Sequence, residues 1–360
     1  MSANEQQAAQ ETPQASPGAD AGPAPSPLPE GAETARTEPE RAAGDAGPPG
    51  SPTKQQLDLV HVALFGWPMD HLTPVSDLAA SHDITEATRK ILNSWRFRWD
   101  ARGSVPLWPG DKWVRADAFG VRIWVNLHDG YVSWGVLHED WENEEVGFVL
   151  RHLRPGDTFL DIGANVGVYT LQAARAVGPG GHVYSIEPRP DTCAMLARSI
   201  ADNGFAGRCT VFNVALGPHE MLGDISTGNR TTDPGATFVV RRDDGPVRIC
   251  ALDSLPIPDG RPVKVLKMDI EGYEPLMMEG ARGFFRKHRP IVLTEIFPRA
   301  IRIVAGRDAV EFFDQFVQLG YVVHRLEGSE VGSRMERADV AAIFDIPTPF
   351  NIVCLPGRMP

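Results

Sequence analysis

The sequence predicts an α/β protein whose mostly parallel sheet is covered by helices on both faces. From residue 157 onward, short runs rich in Val, Ile and Leu alternate with segments that repeat apolar residues at helical spacing. Strands separated by helices form parallel sheets, and uniformly apolar strands belong in a sheet that is covered on both sides. A glycine-containing turn follows the first of these strands, as in folds that bind a ligand beyond the strand ends.

The individual elements follow from these patterns. Seven strands are predicted, at 157–162, 181–187, 209–214, 263–269, 290–296, 320–325 and 350–355. Four helices are predicted among them, at 166–177, 190–203, 275–288 and 308–319. Between 216 and 250 the pattern breaks into short runs with polar flanks. These runs predict an inserted hairpin beside the edge of the sheet that would carry the site.

Composition divides the chain into four regions. Residues 1–53 contain no aromatic residue and roughly a third of the prolines. They predict a disordered tail, because such a segment buries too little apolar surface to offset its ordering entropy. Residues 54–110 repeat apolar residues at helical spacing and predict an N-terminal helical extension. Residues 111–156 predict a hairpin and a lead-in helix, and the ligand-binding domain is expected at 157–360.

Charge and cysteine usage limit the classes of function. The formal net charge of −12 argues against a broad electrostatic grip on nucleic acid or anionic lipid. No apolar run is long enough to span a membrane, and the first residues lack the pattern of a secretion signal. The four cysteines lack metal-ligand spacing and are expected to be buried thiols in a reducing compartment. A cytoplasmic location is therefore expected, and the oligomeric state stays open.

The turn "DIGANVG" at 161–167 is the candidate ligand site. Gly163 is expected to allow a sharp turn and the close approach of a ligand, and Gly167 to let the helix pack tightly on the strand. A dinucleotide fingerprint needs glycine where this sequence has Asn165 and Val168. Asparagine tolerates a left-handed backbone better than most residues, so the turn itself is feasible. The turn therefore favours an amino-acid-like zwitterion over a pyrophosphate.

S-adenosylmethionine is a nucleoside that ends in such a zwitterion and carries no phosphate. Asp161 is expected to take its ammonium, directly or through water, and the backbone N–H groups of Ala164 and Asn165 its carboxylate. Glu187 ends the second strand, about 20 residues beyond the turn, where an acid accepts hydrogen bonds from ribose hydroxyls. Two residues after the third strand are expected on the adenine side: Asn213 and Ala215. Asparagine also forms turns, so a structural role is the alternative there.

These motifs occur together in a known family. "DTFLDIGANVGVYT", "VYSIEPRP", "FNVALG", "LDSL", "VLKMDIEGYEPLMMEGA" and "RPIVLTEI" stand in the order seen in FkbM-type S-adenosylmethionine-dependent methyltransferases. The chain resembles that family over residues 120–355, and the pairing of "DIGANVG" with "KMDIEGYE" is the specific part. The resemblance implies the class I methyltransferase fold, with a seven-stranded sheet whose final strand is reversed. It also implies O-methylation of a hydroxyl.

The segment "VLKMDIEGYE" supplies the candidate catalytic residues. Lys267, Asp269 and Glu271 alternate along the chain and therefore project to the same side near the carboxyl end of a strand. Asp269 is predicted to be the general base for an acceptor hydroxyl or a polar link to it, with Glu271 as the second candidate. Lys267 would pair with one of them or hold an anionic part of the substrate. Glu295, on the adjacent strand, is expected to bind an acceptor hydroxyl.

Alternatives to this interpretation stay open. The same charged residues would form an ion-paired cluster if they only fixed the turn after the strand. Carboxylates on one rim can also hold a divalent cation, which is not expected here. The function that the residues favour is O-methylation of a small molecule, a sugar or a specialised metabolite, without nucleic acid or membrane as partner. A non-catalytic scaffold that binds the cofactor and recruits partners, or a nicotinamide-dependent oxidoreductase, is the alternative function.

Overall fold

The computed structural model of this chain describes residues 83–84, 111–129, 131–226, 238–258, 260–343 and 348–357. The predicted tail and almost all of the predicted helical extension therefore lie outside the described residues. The exception is strand β1, Asp83–Ile84, which pairs in parallel with β2, Trp113–Ala118. This dipeptide is extended where the sequence predicted helix, because pairing with a neighbouring strand overrides a weak local preference.

The described residues form the following elements. The further strands are β3 Val121–Asn126, β4 Thr158–Ile162, β5 His182–Ile186, β6 Cys209–Phe212, β7 Ala215–Leu216, β8 Met221–Ser226, β9 Phe238–Arg241, β10 Val247–Cys250, β11 Val263–Met268, β12 Ile291–Ile296, β13 Tyr321–Glu327, β14 Glu330–Arg334 and β15 Phe350–Pro356. The α-helices are α1 Val132–His138, α2 Asn143–His152, α3 Val168–Val177, α4 Pro190–Asp202, α5 Glu274–Glu279, α6 Arg282–His288, α7 Pro298–Val304, α8 Ala309–Gln318 and α9 Arg337–Ala342.

The main sheet has eight strands in the order β14-β13-β15-β12-β11-β4-β5-β6. The five strands from β12 to β6 pair in parallel, and β15 runs antiparallel between β12 and β13. The predicted fold class and the reversed final strand are confirmed. The eighth strand, β14, extends the predicted seven as a hairpin partner of β13. Its residues are mostly exposed or half-buried, so no apolar run marked it in the sequence.

The seven predicted strands and three of the four predicted helices agree with the structure within two residues. The helix predicted at 275–288 is instead divided into α5 and α6. The division falls at Gly280, where a Cβ atom would lie 2.1 Å from the carbonyl oxygen of Gly217. After the division, the Asp253 carboxylate accepts hydrogen bonds from the backbone N–H groups of Gly283 and Phe284, at 2.8 and 2.6 Å. These bonds satisfy donors in the first turn of α6.

Two smaller sheets flank the main one. The lead-in hairpin joins β2 to β3 through Phe119 and Gly120, which both have positive φ, 51° and 71°. The segment predicted as an inserted hairpin forms a four-stranded sheet in the order β7-β10-β8-β9, in which β8 and β9 are antiparallel. Val239 of β9 extends from this sheet to the candidate site.

Helices cover both faces of the main sheet. Phe159 of β4 packs in one apolar core with the hairpin β2–β3 and with α1, α2 and α3. The next residue, Leu160, points into the opposite core, which is formed with α5, α6 and α8. Alternating side chains of one strand thus serve two cores, as the uniformly apolar strands predicted.

The described residues show the state of the cysteines and the membrane-spanning capacity of the helices. All four cysteines are free thiols, of which Cys193, Cys250 and Cys354 are buried and Cys209 is half-buried. Burial raises the pKa of the Cys209 thiol to about 12. Among the described residues, none of the helices combines the length and the apolar character needed to cross a membrane.

Candidate active site

A cleft lies at the carboxyl ends of β4, β5 and β11. It holds about 750 Å³ of empty space, including its open mouth. Its walls come from the segment before α2, the glycine turn, the loop after β5 and the segment after β11. Each part contributes polar or charged residues to the lining: Glu142, Asn165, Glu187, Lys267 and Asp269. The cleft is therefore built where the ends of parallel strands meet, the position at which such sheets bind ligands.

The glycine turn has the predicted left-handed backbone. Asn165 has φ of 48°, and it stands between Gly163 and Gly167, with φ of 80° and 98°. The N–H of Asn165 donates a hydrogen bond of 2.9 Å to the carboxylate of Glu187. An asparagine therefore replaces glycine at this position without changing the course of the backbone, since its short side chain tolerates positive φ.

The hydrogen bonds of the turn differ from the expectation. The N–H groups of Gly163 and Ala164 both donate to the carbonyl oxygen of Ile186, at 3.0 and 2.9 Å. The N–H of Asn165 is bonded to Glu187. The two groups expected to receive a ligand carboxylate, those of Ala164 and Asn165, thus already have partners in the chain. The reason is that the turn is closed against the end of β5.

The space beside each of the two glycines of the turn is filled by the protein itself. A Cβ atom at Gly163 would lie 1.9 Å from the carbonyl oxygen of Asp269, so this glycine lets the end of β11 approach. A Cβ atom at Gly167 would lie 2.3 Å from Leu196 of α4. From the sequence, the space at Gly163 was expected to admit a ligand, and Gly167 was expected to pack the helix on the preceding strand. The structure assigns them to the segment after β11 and to a neighbouring helix.

Asp161 lies beneath the cleft and is fully buried. Its Oδ2 accepts a hydrogen bond of 2.6 Å from the hydroxyl of Thr170, whereas Oδ1 has no hydrogen-bond partner among the described residues. Burial raises the pKa of Asp161, and the charge of Lys267 and the bond from Thr170 oppose this shift. Lys267 is also its direct neighbour in the sheet register. The predicted ammonium partner is therefore close to the cleft, but it does not form the surface.

Glu187 lines the cleft and is held by two backbone groups. One carboxylate oxygen accepts from the N–H of Asn165 at 2.9 Å, and the other from the N–H of Arg189 at 2.8 Å. Burial raises the pKa of Glu187 to about 7, and these two bonds oppose the increase. A carboxylate can accept about four hydrogen bonds. The fixed carboxylate thus keeps acceptor capacity for hydroxyl groups in the cleft.

The two residues predicted on the adenine side are placed elsewhere. The side-chain amide of Asn213 donates to the carbonyl oxygens of Glu187 and Pro188, at 2.9 and 3.0 Å. It fixes the loop after β5, which is the structural alternative. Ala215 is buried in β7, where it pairs with Ile249 of β10. Neither residue is among the described residues that line the cleft.

Lys267, Asp269 and Glu271 all line the cleft, as their alternation suggested. The ammonium of Lys267 lies 3.4 Å from a carboxylate oxygen of Asp269 and donates to the carbonyl oxygen of Gly163 at 3.3 Å. It also lies 4.9 Å from the ring centre of Tyr169. Burial alone would lower the pKa of Lys267, but the charges of Asp269, Asp161 and Glu142 outweigh it and raise the pKa. The lysine is therefore a fixed cation.

Glu295 is near these acids but does not line the cleft. It lies half-buried on β12, opposite Asn351 of β15. Burial first, and then the charges of Asp269 and Glu271, raise the pKa of Glu295 to about 10. Its carboxyl group is therefore protonated at neutral pH. Glu295 is not among the described residues that line the cleft, so its predicted contact with an acceptor hydroxyl stays a prediction.

Sequence analysis missed Glu142, which lines the cleft from the segment before the glycine turn. Its carboxylate accepts a hydrogen bond from the hydroxyl of Tyr169, at 2.5 Å. Burial raises the pKa of Glu142 to about 7; the charge of Lys267 opposes this and that of Asp269 adds to it. The acid stands in a row of polar residues, "EDWENEE", which in a sequence is typical of a solvated surface. Its backbone is left-handed, with φ of 47°, and the hydrogen bond from Tyr169 holds its side chain at the cleft.

We searched the described residues for side chains that could bind a metal ion together. In the parts of the chain that the structure describes, there is no group of three or more His, Cys, Asp or Glu side chains arranged to hold a metal ion.

The sheet order, with β15 reversed between β12 and β13, and a cleft at the ends of β4, β5 and β11 define the class I methyltransferase fold. Residues 161–323 match the family model of the methyltransferase FkbM domain. The resemblance found in the sequence is confirmed over this range.

Individual proteins give more distant matches. The ribosomal RNA large subunit methyltransferase E of Sorangium cellulosum (strain So ce56) is 33% identical over 144 residues, which are 38% of this chain. The chain spans 64% of the length of that relative. The solved methyltransferase FkbM of Methylobacillus flagellatus KT is 17% identical, with a TM-score of 0.34 over 61% of this chain and 52% of that chain. A solved S-adenosylmethionine-dependent O-methyltransferase of Thermotoga maritima is 12% identical, with a TM-score of 0.36 over 72% of this chain and 85% of that chain.

Proposed function

We propose that this protein is an S-adenosylmethionine-dependent methyltransferase that methylates a hydroxyl group of a small molecule in the cytoplasm. The observation that carries the proposal is one cleft in a methyltransferase domain with two kinds of acid. Glu187 stands at the end of β5 and is fixed by backbone N–H groups. Asp269 stands at the end of β11 and is paired with Lys267. The first suits a nucleoside, and the second suits an acceptor.

The chemistry of the cleft residues fits S-adenosylmethionine. Glu187 would accept hydrogen bonds from the ribose hydroxyls with the capacity that its two backbone donors leave. Asp161 would favour the ammonium, because its buried Oδ1 has no hydrogen-bond partner among the described residues. Gly163 and Asn165 support the turn around which such a ligand binds. Their N–H groups are engaged in the chain, so the partner of the ligand carboxylate is not assigned to them.

The same hydrogen bonds count against a nicotinamide cofactor. A pyrophosphate is held by free backbone N–H groups at the start of a helix, and it needs several of them. In this turn, the N–H groups of Gly163, Ala164 and Asn165 are bonded to Ile186 and Glu187. A dinucleotide would have to break these bonds, whereas a nucleoside without phosphates has no such requirement.

The residues after β11 supply the proposed catalytic groups. When bound, S-adenosylmethionine supplies a methyl group on a positively charged sulfur, which an oxygen nucleophile accepts by displacement. The chain must orient the acceptor hydroxyl and remove its proton. Asp269 is the proposed base or the polar link to it, because it lines the cleft and is partly exposed. The ammonium of Lys267 lies 3.4 Å from this carboxylate and holds it in place, and Glu271 is the second candidate.

A small, uncharged acceptor fits the charge of the cleft better than RNA. Four carboxylates and two cations line it: Glu142, Glu187, Asp269, Glu271, Arg189 and Lys267. Both cations are already paired, Arg189 with Asp191 at 2.6 Å and Lys267 with Asp269. RNA binding depends on cations that neutralise phosphates, and the whole chain has a net charge of −12. The curated relative that acts on ribosomal RNA therefore gives the alternative acceptor that an experiment has to exclude.

Thermal unfolding separates the candidate cofactors. A ligand that binds only the native state raises the melting temperature. We expect S-adenosylhomocysteine at saturating concentration to raise the melting temperature by several degrees, and NAD to leave it unchanged. Stabilisation by NAD alone would overturn the proposal in favour of an oxidoreductase.

Methyl transfer separates the candidate acceptors. We expect S-adenosylmethionine with a trideuterated methyl group to label a compound in a panel of sugars and other hydroxylated metabolites, detected by mass spectrometry. Labelling of ribosomal RNA alone would replace the small-molecule acceptor. Cofactor binding without methyl transfer to the metabolites or to ribosomal RNA would favour the non-catalytic scaffold.

A further inference from the structure

The strongest unassigned feature of the cleft is the environment of Glu142. This residue precedes the segment that matches the family model, and its side chain joins parts of the chain that are distant in sequence. The hydroxyl of Tyr169, on α3, donates a hydrogen bond to this carboxylate. Lys267, near the end of β11, and Asp269, just after that strand, interact with it through their charges. Glu142 is thus held in the cleft by the glycine-turn helix and faces the residues proposed for catalysis.

The surroundings of Glu142 contain more negative than positive charge. Lys267 is the cation that faces it, and Asp269 and Glu145 are the carboxylates. Glu295 of β12 faces it too, and its carboxyl group is protonated at neutral pH because burial raises the pKa of Glu295 to about 10. Below them, Asp161 keeps a buried carboxylate oxygen without a hydrogen-bond partner among the described residues. One lysine does not balance these acids, so this part of the cleft favours a ligand that brings a positive charge.

We propose that Glu142 distinguishes the cationic cofactor S-adenosylmethionine from its neutral product S-adenosylhomocysteine. The two ligands share their sugar, base and amino-acid end, and they differ by one methyl group and one positive charge. Glu142 would strengthen binding of the charged form and leave binding of the spent form almost unchanged. The spent cofactor would therefore leave more readily. This inference rests on the proposed function, since it concerns the same cleft and the same cofactor.

The protonation of Glu142 makes the preference depend on pH. Burial raises the pKa of Glu142 to about 7, so close to neutral pH the group is part protonated and part ionised. A cation bound nearby favours the ionised form and lowers this pKa, so binding of S-adenosylmethionine releases a proton. The preference for the charged ligand then rises from pH 6 to pH 8. Glu187 has a similar pKa, but it faces a part that the two ligands share, so its effect cancels in their ratio.

Titration calorimetry with the two purified ligands tests the inference. At pH 7.5 we expect Glu142→Gln to weaken binding of S-adenosylmethionine about tenfold and binding of S-adenosylhomocysteine less than twofold. The matched control is Glu144→Gln, which removes the same charge from an exposed position two residues further on, in the first turn of α2, and leaves both affinities unchanged. Tyr169→Phe removes a hydrogen bond that favours ionised Glu142, so the preference at pH 7 falls and returns at higher pH.

A second measurement uses the wild-type protein, so it remains possible even if a variant fails to fold. Titrations in buffers of different ionisation enthalpy count the protons released on binding. We expect S-adenosylmethionine to release more protons at pH 7 than S-adenosylhomocysteine, by up to about half a proton. Equal proton release, or equal weakening of both ligands by Glu142→Gln, would overturn the inference and leave the proposed function intact. A wild-type protein that binds neither ligand would overturn both.

Discussion

The carboxylate of Glu187 accepts a hydrogen bond of 2.9 Å from the backbone N–H of Asn165. This bond connects the acid at the end of β5 with the left-handed residue of the glycine turn. Asparagine can stand at this position because it tolerates the left-handed backbone, and the bond uses a donor that a phosphate would otherwise need. The same carboxylate can still accept hydrogen bonds from hydroxyl groups in the cleft. The bond therefore favours a ligand with a ribose over one with a pyrophosphate.

Glu187→Gln is expected to weaken binding of S-adenosylhomocysteine about tenfold to a hundredfold. The amide nitrogen of glutamine cannot accept, so one of the N–H groups of Asn165 and Arg189 loses its partner and one acceptor for the ribose is lost. Titration calorimetry measures the change. Glu220→Gln, at an exposed position just before β8, is the control with the same loss of charge. Unchanged affinity in Glu187→Gln would remove Glu187 from the proposed site.

Gly163→Ala is expected to lower the free energy of unfolding by about 3 kcal/mol or more. Its Cβ atom would lie 1.9 Å from the carbonyl oxygen of Asp269, and its φ of 80° strains any side chain. Gly207→Ala is the matched control, because a Cβ atom there meets nothing within 4 Å. Urea denaturation compares the two variants. If both changed stability by the same small amount, the close approach of the segment after β11 would be wrong.

Asp269→Asn is expected to lower methyl transfer by about a hundredfold to ten-thousandfold, the usual range for loss of a general base. Binding of the neutral ligand S-adenosylhomocysteine should stay within a few-fold of wild type, because the variant keeps the shape of the side chain. The rate is measured by mass spectrometry on the acceptor found in the panel. Wild-type turnover in this variant would exclude Asp269 as the base and return attention to Glu271.

Glu274→Gln is expected to gain stability relative to wild type as pH rises from 5 to 8. Burial raises the pKa of Glu274 to about 7, while the bond from the N–H of Ile270 opposes the shift. Because the folded pKa lies above the ordinary value, wild type is favoured by this group below about pH 4.5 and loses that contribution as pH rises through 7. Urea unfolding at pH 5, 6.5 and 8 measures the difference. Glu144→Gln, at an exposed position, should show no such trend, and a flat difference for Glu274→Gln would contradict the burial of its charge.

The main sheet could be predicted from the sequence because its strands are continuous apolar runs. Each run is buried on both sides, so its composition alone marks it. Strand β14 could not be predicted, since its residues are mostly exposed. The division between α5 and α6 depends on the contact of Gly280 with Gly217, which lie on different parts of the chain. Such contacts have no signal in local spacing.

Those residues of the candidate site that lie at the ends of parallel strands could be predicted from the sequence. Glu187 and Asp269 follow parallel strands, Lys267 lies near the end of one, and parallel strand ends meet at one edge of the sheet. Side-chain and backbone partners were not predictable in the same way. Asn213 bonds to the loop after β5, and the turn N–H groups bond to β5 rather than staying free. Glu142 comes to the cleft through its contact with Tyr169, which no motif encodes.

A crystal structure of the protein with S-adenosylhomocysteine tests the central claim most directly. We expect the ligand in the cleft beside the glycine turn, with its ribose hydroxyls within hydrogen-bond distance of the Glu187 carboxylate. A ligand bound elsewhere, or a cleft that stays empty at saturating ligand, would contradict it.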